Sequence, residues 1–345
     1  MKKISNYLFI IILSFCFTVN LTSCNLEPSS PVSLSGFYFD TAVTITVYNP
    51  SSKEDATDII NGGFNLCKNY ESIFSRTAKD SDISKINAAG GSQTTVHPEV
   101  TEIIRDSLKY SQLSEGAFDI TIAPLSSLWD IKNNNGVIPA KNSIASALEH
   151  IDYRNIIVEE NSITLSDPKA QIDLGGIAKG FVADKLKKYM ISKGVTSAII
   201  DLGGNILTIG GKNSENNFKI GIKKPFSQED SEYAATISVT DKSVVTSGIY
   251  ERYFEKDHKI YHHILDTKTG YPVENNLYSV TIISDTSEAG DALSTSVFAL
   301  GLDEGKKLIN SIENTEAVFI TNKNKIILTD GLKMNGTKEI SFSKN

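Results

Sequence analysis

Across residues 52–74 the apolar positions Ile60, Phe64, Cys67, Tyr70 and Phe74 recur at three- and four-residue spacing. That period lines them along one face of an α-helix. Ser52 supplies an N-cap, and Glu54 and Asp55 suit the positive end of the helix dipole. The same period predicts helices over 98–113, 177–193, 288–300 and 303–312. Pro98 stands in the first turn of one and Gly194 closes another, as their backbone preferences require. Alternation with period two marks strands instead. The run Thr44-Ile-Thr-Val47 predicts a strand over 37–48. Further strands fall at 198–201, 206–209, 218–222, 235–239 and 278–283, with hairpins at 155–165, turning at Glu160-Asn161, and at 317–328. Residues 246–272 read as two strands closed by a turn at 257–259, followed by a tight loop at Thr269-Gly-Tyr-Pro272. Strands and helices do not alternate regularly. The chain is therefore expected to be α+β with largely antiparallel sheet.

The first residues do not belong to that pattern. Lys2 and Lys3 precede an apolar run over 7–19, which is short for a bilayer span, and Leu21-Thr-Ser-Cys24 follows. This reads as a signal peptide over 1–23. The placement of Cys24 resembles a bacterial lipobox, with lipid on the new N-terminal cysteine; an ordinary secretory cut nearby is the alternative. The expected location is extracytoplasmic, on a lipid anchor in the cell membrane. Residues 24–36, rich in serine and proline, read as a tether, and 37–345 as one large domain. Of the cysteines at 16, 24 and 67, only Cys67 would remain free. It lies on the apolar helix face and is expected in the core. The net charge of −7 and the lack of any basic tract exclude a nucleic-acid surface.

Several polar segments carry candidate chemistry. The segment Ile172-Asp-Leu-Gly-Gly-Ile-Ala-Lys-Gly180 reads as a strand end meeting a helix start. Glycines there admit close backbone approach, free N–H groups favour phosphate, and Lys179 adds a cation; tight packing is the other reading. Ile200-Asp-Leu-Gly-Gly204 repeats the pattern before a strand and reads as a turn. Glu115-Gly-Ala-Phe-Asp119 and Trp129 place aromatic rings near an aspartate, suited to a planar heterocycle or simply to the core. Asp291 and Thr295, four apart, share a helical face. A carboxylate plus a hydroxyl suits Mg²⁺, which takes substrate phosphates as its other ligands; a capping aspartate is the alternative. Asp80 and Ser81 read as caps of a short helix. His258, His262 and His263 cluster in the 246–272 region, and a histidine beside a restricted loop suits a general base.

In order and spacing these pieces resemble the ApbE-type FAD:protein FMN transferases, over nearly the whole chain from Phe37. The matching motifs are Ser75…Asp80-Ser81…Asn87, Glu115-Gly-Ala-Phe-Asp-Ile-Thr…Pro124-Leu125, Asp173-Leu-Gly-Gly-Ile-Ala-Lys-Gly180, Leu202-Gly-Gly204, Thr246-Ser-Gly…Tyr-Glu-Arg-Tyr253, His263-Ile-Leu-Asp266…Thr269-Gly270…Pro272 and Asp291-Ala-Leu-Ser-Thr295. The resemblance implies a T-fold-like α+β domain. It implies Mg²⁺-dependent transfer of FMN from FAD to a threonine hydroxyl of an acceptor membrane redox flavoprotein, with release of AMP. An Mg²⁺-dependent FAD pyrophosphatase and an FAD-binding lipoprotein use the same motifs. By position the resemblance makes His263 the base or a flavin contact, with Asp291, Thr295 and the Gly176 carbonyl as metal ligands. It places Phe39, Thr77, Ala117, Phe118, Asp119, Asp173 and Lys179 against FAD. Thr77 stands where many members have tyrosine. Thr267 replaces a proline, which is expected to loosen its loop.

Overall fold

The computed structural model describes residues 30–343 except 135, 213–215 and 230–231; the signal segment and Cys24 lie outside the described residues. Strand β1 (Val32–Tyr38) pairs antiparallel with β2 (Thr41–Val47), from Val32 opposite Val47 to Tyr38 opposite Thr41. This corrects two expectations. Residues 32–36 belong to the folded domain rather than to a tether, because Val32 and Leu34 pack inward while Ser33 and Ser35 meet the Thr46 and Thr44 hydroxyls across the ladder. The single strand expected over 37–48 is a hairpin. Its turn residues, Phe39 and Asp40, both have positive φ, 52° and 60°, as a type I′ turn demands. Neither is the glycine or asparagine that usually signals such a turn.

That hairpin is one edge of an eight-stranded antiparallel sheet. The order continues through β6 (Ala198–Leu202), β7 (Asn205–Ile209), β10 (Ser243–Gly248), β13 (Leu277–Ser284), β14 (Glu316–Thr321) and β15 (Ile326–Leu328). A second sheet, β16 (Leu332–Asn335), β17 (Glu339–Phe342), β9 (Tyr233–Val239) and β8 (Phe218–Lys223), contains a parallel pair, β17 with β9. It covers one face of the large sheet, burying Phe218, Ile220 and Ile237 against Val244, Ile283 and Val318. Three short strands, β3 (Thr94–Thr95), β4 (Ile156–Val158) and β5 (Ser162–Leu165), form a small sheet, and β11 (Tyr253–Lys256) with β12 (Lys259–His262) a separate hairpin. The hairpin turns at Asp257-His258, again both at positive φ. β10 pairs with β7 and β13 rather than joining this hairpin, so the strand expected from residue 246 onward is split.

Helices cover the other face. They are α1 (Lys53–Phe74), α2 (Asp82–Ala88), α3 (Pro98–Leu113), α4 (Ala123–Trp129), α5 (Lys141–Leu148), α6 (Ala178–Ser192), α7 (Ser287–Leu300) and α8 (Leu302–Asn310). Ser52 caps α1 by accepting from the Asp55 N–H at 3.0 Å, and Ser81 caps α2. Asp80 is exposed and caps nothing. Ile60, Cys67 and Phe74 of α1 are buried with Ile45, Ile200, Phe181 and Leu186. Burial pushes the Cys67 thiol up to about 12, so it stays a protonated, inert core residue. Trp129 is fully buried with Leu125, Ile144 and Leu265. It stacks on Tyr261 at 5.9 Å between centroids and donates to the Gly270 carbonyl at 2.7 Å, which fixes α4 to the β12 hairpin.

Helices α6 and α7 cap one another. Asp184 of α6 accepts from the Ser287 and Glu288 N–H groups, both at 2.9 Å, at the start of α7. Asp291 of α7 accepts from the Gly180 N–H at 3.0 Å in the first turn of α6. The helices meet closely: a Cβ added at Gly180 would lie 2.3 Å from the Ser287 carbonyl oxygen.

Candidate active site

The site is built on the loop before α6. Asn87 clamps its start, donating to the Ile172 carbonyl at 2.9 Å and accepting from the Ile172 N–H at 2.6 Å. The segment is a loop tethered by an isolated bridge at Gln171, not the end of a strand. Asp173 closes the next turn by accepting from the Gly175 N–H at 2.9 Å. Its other oxygen pairs with the Arg76 guanidinium at 3.0 Å and accepts from the Ser126 hydroxyl at 2.9 Å. Arg76 also donates to Ser127 at 2.8 Å. Arg76 and Ser126 were not singled out from the sequence. Their signal was proximity to Thr77 and Leu125 in matching motifs, and only the fold shows that they converge on Asp173.

Beyond Asp173 the chain turns into α6; the Ala178 N–H is bonded to the Leu174 carbonyl and the Gly180 N–H to Asp291, so the helix start contributes its dipole more than free donors. Gly176 comes close to two other site residues. A Cβ built there would lie 3.1 Å from the Phe118 ring and 3.5 Å from Thr295 Oγ1. Lys179 reaches between the Gly175 carbonyl, at 3.3 Å, and both carboxylate oxygens of Asp291, at 3.2 and 3.4 Å. Asp291 is buried and lies in the second turn of α7, so it caps α6 rather than its own helix. Phe118, Gly176, Lys179, Asp291 and Thr295 thus lie close together.

The two adjacent histidines are in different situations. His262 is buried; its Nε2–H donates to the Val273 carbonyl at 3.0 Å and its Nδ1 accepts from the Ile264 N–H at 3.3 Å. Its ring stands edge-on to Phe298. Burial lowers its imidazole to about 4. Both nitrogens are spent, and His262 is a packing residue. His263 keeps partial exposure, and its Nδ1–H donates to the Arg252 carbonyl at 3.3 Å. A carbonyl only accepts, so Nε2 is the unprotonated nitrogen. Desolvation first, then the neighbouring His262, Arg252 and Lys179 charges, lower this imidazole to about 3. It is a neutral imidazole within electrostatic reach of Lys179.

The other expected contacts are spread around this centre. Asp119 is buried and fully occupied: Oδ1 accepts from the Thr121 N–H and hydroxyl, both at 2.7 Å, and Oδ2 from the Tyr153 N–H at 2.8 Å. Its side chain shapes the loop that presents Ala117 and Phe118. Burial raises its carboxyl above the usual range, against those hydrogen bonds. Thr267 does not loosen its loop. Its hydroxyl donates to the Gly116 carbonyl at 2.8 Å and ties the loop to Ala117's segment. Thr77 is exposed beside Arg76 and meets the Ser75 hydroxyl at 3.2 Å. Phe39 sits in its positive-φ turn with its N–H held by Glu71 at 2.7 Å, and Asp40 pairs with Lys132 at 2.9 Å.

Among the described residues no three His, Cys, Asp or Glu side chains converge as a metal site. The oxygens available are one carboxylate, one hydroxyl and backbone carbonyls. Lys179 already places an ammonium between two of them, so the pocket accepts a cation among hard oxygens. Such a set fits Mg²⁺ only when substrate phosphates complete the coordination.

Comparison with known proteins agrees with this architecture. A sequence model of the ApbE family matches residues 39–319. An FAD:protein FMN transferase from Klebsiella pneumoniae is 38% identical over 269 residues, covering 77% of this chain and 83% of its own. Another of that name from Treponema pallidum is 31% identical over 296 residues, covering 81% and 82%. The crystal structure of the ApbE protein from Thermotoga maritima superposes with a TM-score of 0.80 at 30% identity, covering 87% of this chain and 97% of that one. The flavin transferase ApbE from Vibrio cholerae has the same fold, with a TM-score of 0.78 at 24% identity over 88% and 98% of the two chains. The match spans most of the described domain, including every loop that builds the site, and the chain belongs to the ApbE family, as an enzyme of the transferase class.

Proposed function

We propose that this protein is an FAD:protein FMN transferase that uses Mg²⁺ and modifies a threonine of an acceptor redox flavoprotein. The observation that carries the reading is the convergence of Asp291, Thr295 and Gly176 with the α6 N-terminus and Lys179, with a neutral His263 within electrostatic reach of Lys179. Asp291, Thr295 and the Gly176 carbonyl would hold the metal. When bound it would neutralise the pyrophosphate charge that builds as the bridging bond breaks. Every other step belongs to the chain. The helix start and Lys179 hold the diphosphate, and Phe118 packs beside Gly176 to exclude water from one side. Asp173, fixed by Arg76 and Ser126, meets the FAD through the turn it closes. His263 Nε2 takes the proton of the incoming threonine hydroxyl. The threonine oxygen bonds to the FMN phosphorus, the anhydride P–O bond breaks, and AMP leaves with the bond's electrons. Phosphoryl transfer of this kind needs positioning and charge more than covalent help.

The N-terminal sequence supports an address. Cys24 would carry the lipid after removal of residues 1–23, holding the enzyme at the outer face of the cell membrane near membrane-bound acceptors. Among the described residues no helix is long and apolar enough to cross a membrane.

The test incubates residues 25–345 with FAD, Mg²⁺ and a threonine-bearing acceptor domain. The expected result is an acceptor heavier by one FMN, released AMP, and loss of both with EDTA. Free FMN and AMP beside unmodified acceptors would make the protein a pyrophosphatase. Unchanged FAD would leave only binding.

A further inference from the structure

Three consecutive hydroxyl residues stand in the middle of α7. Two of them bond back into their own helix: Ser294 donates to the Asp291 carbonyl at 2.9 Å and Ser296 to the Ala292 carbonyl at 2.7 Å. That is the ordinary habit of such residues in helices. Thr295 instead meets Ser247 of β10, at 3.4 Å between hydroxyl oxygens. Ser247 also lies 2.8 Å from the Ser294 hydroxyl.

Each hydroxyl has one proton, so the direction of the chain follows from where the Ser294 proton goes. The Asp291 carbonyl can only accept, and donation to the preceding turn is what serines in helices commonly do, so we assign the Ser294 proton to it. Ser294 must then accept from Ser247, which spends the Ser247 proton. The Ser247 oxygen is left to accept from Thr295. The Thr295 proton therefore points at β10. Its lone pairs are then free for a cation; Gly176 is a further neighbour, its notional Cβ 3.5 Å from Oγ1.

We propose that Ser247 is a positioning residue that turns the Thr295 hydroxyl so that its oxygen, not its proton, faces the cation position. The inference rests on the metal reading given above. Without Ser247 the Thr295 hydroxyl rotates freely and spends part of its time aiming a proton at the cation. The relay also ends on the main chain of Asp291, so the same three hydroxyls tie both side-chain ligands to one strand. Partners of this kind around a metal typically govern affinity by about 10–100-fold.

The experiment measures Mn²⁺ binding directly, by the paramagnetic signal of free Mn²⁺ in the presence of FAD, in the wild type, Ser247→Ala and Ser247→Thr. Thermal midpoints are recorded without metal. The expected result is a Mn²⁺ Kd at least about tenfold weaker in Ser247→Ala, an unchanged midpoint, and recovery of affinity in Ser247→Thr. Undiminished binding in Ser247→Ala overturns this inference alone. A weaker Kd with a lowered midpoint and no recovery in Ser247→Thr also overturns it, in favour of packing. Absence of Mn²⁺ binding in the wild type overturns the metal reading, and this inference with it.

Discussion

At the scale of single residues, the site depends on which nitrogen of which histidine is available. His262 has both nitrogens bonded inside the protein, whereas His263 has one, on the Arg252 carbonyl. His263→Ala is expected to lower the transfer rate by about 10²–10⁴-fold with circular dichroism unchanged; full activity would remove the base assignment. Because desolvation lowers His263 to about 3, it stays neutral through the range in which an ordinary imidazole protonates, near 6.5. The kcat profile is therefore expected to be flat from pH 8 to about pH 5 on its account, and an acid limb near pH 6.5 would contradict the desolvated imidazole. Much of this was legible in the sequence, because Asp291, Thr295, Gly176, Lys179 and His263 lie in contiguous motifs. The choice between His262 and His263 was not, since it depends on the carbonyls of Val273 and Arg252, both eleven residues away in sequence. Nor was the employment of Asp119. A loop aspartate beside an aromatic reads as a ligand until its oxygens are seen to be taken by Thr121 and Tyr153.

At the scale of elements, the crosswise capping of α6 and α7 links stability to function. Asp184 holds the first turn of α7, which carries Asp291 and Thr295, and Asp291 holds the first turn of α6, which carries Lys179. Asp184→Ala is expected to cost about 1–2 kcal/mol in denaturant unfolding, as loss of an N-cap does, and to weaken FAD binding with it. Unchanged stability would show that water replaces the carboxylate at no cost. The long helices with clear periodicity, α1, α3, α6 and α7, were readable from apolar spacing and their flanking residues. Elements that were not readable share a physical reason. Helices α4 and α5 span seven and eight residues and have no side-chain cap, and β16 and β17 are four residues each with Lys333 and Asn335 among them. Their stability comes from tertiary packing, such as Trp129 on Tyr261. The β1–β2 turn was hidden because Phe39, a bulky residue, takes its first positive-φ position and no glycine or asparagine marks it. Glu71 holds the Phe39 N–H there.

At the scale of the whole molecule, two histidines and one glutamate pull the response to pH in opposite directions. His262 and His263 are lowered to about 4 and about 3. The unfolded chain protonates them below pH 6.5 while the native protein does not, so their contribution is complete above 6.5 and is lost as pH falls. Glu288 acts in the other direction. Burial first, then the charges of Asp106, Asp184 and Glu102, raise its carboxyl to about 8. The native protein holds that proton between pH 4.5 and 8 while the unfolded chain does not. Its contribution is complete below 4.5 and is lost as pH rises through 8. The contributions of these three residues are together greatest between about pH 6 and 7. Replacing Glu288 by glutamine keeps the neutral form at every pH. The thermal midpoint of Glu288→Gln is therefore expected to match the wild type near pH 4.5 and to exceed it progressively from pH 7 to pH 9, while the acid limb set by the histidines is unchanged. Equal midpoints at pH 9 would mean that Glu288 ionises freely, and that Lys109, which lowers it, outweighs its three acidic neighbours.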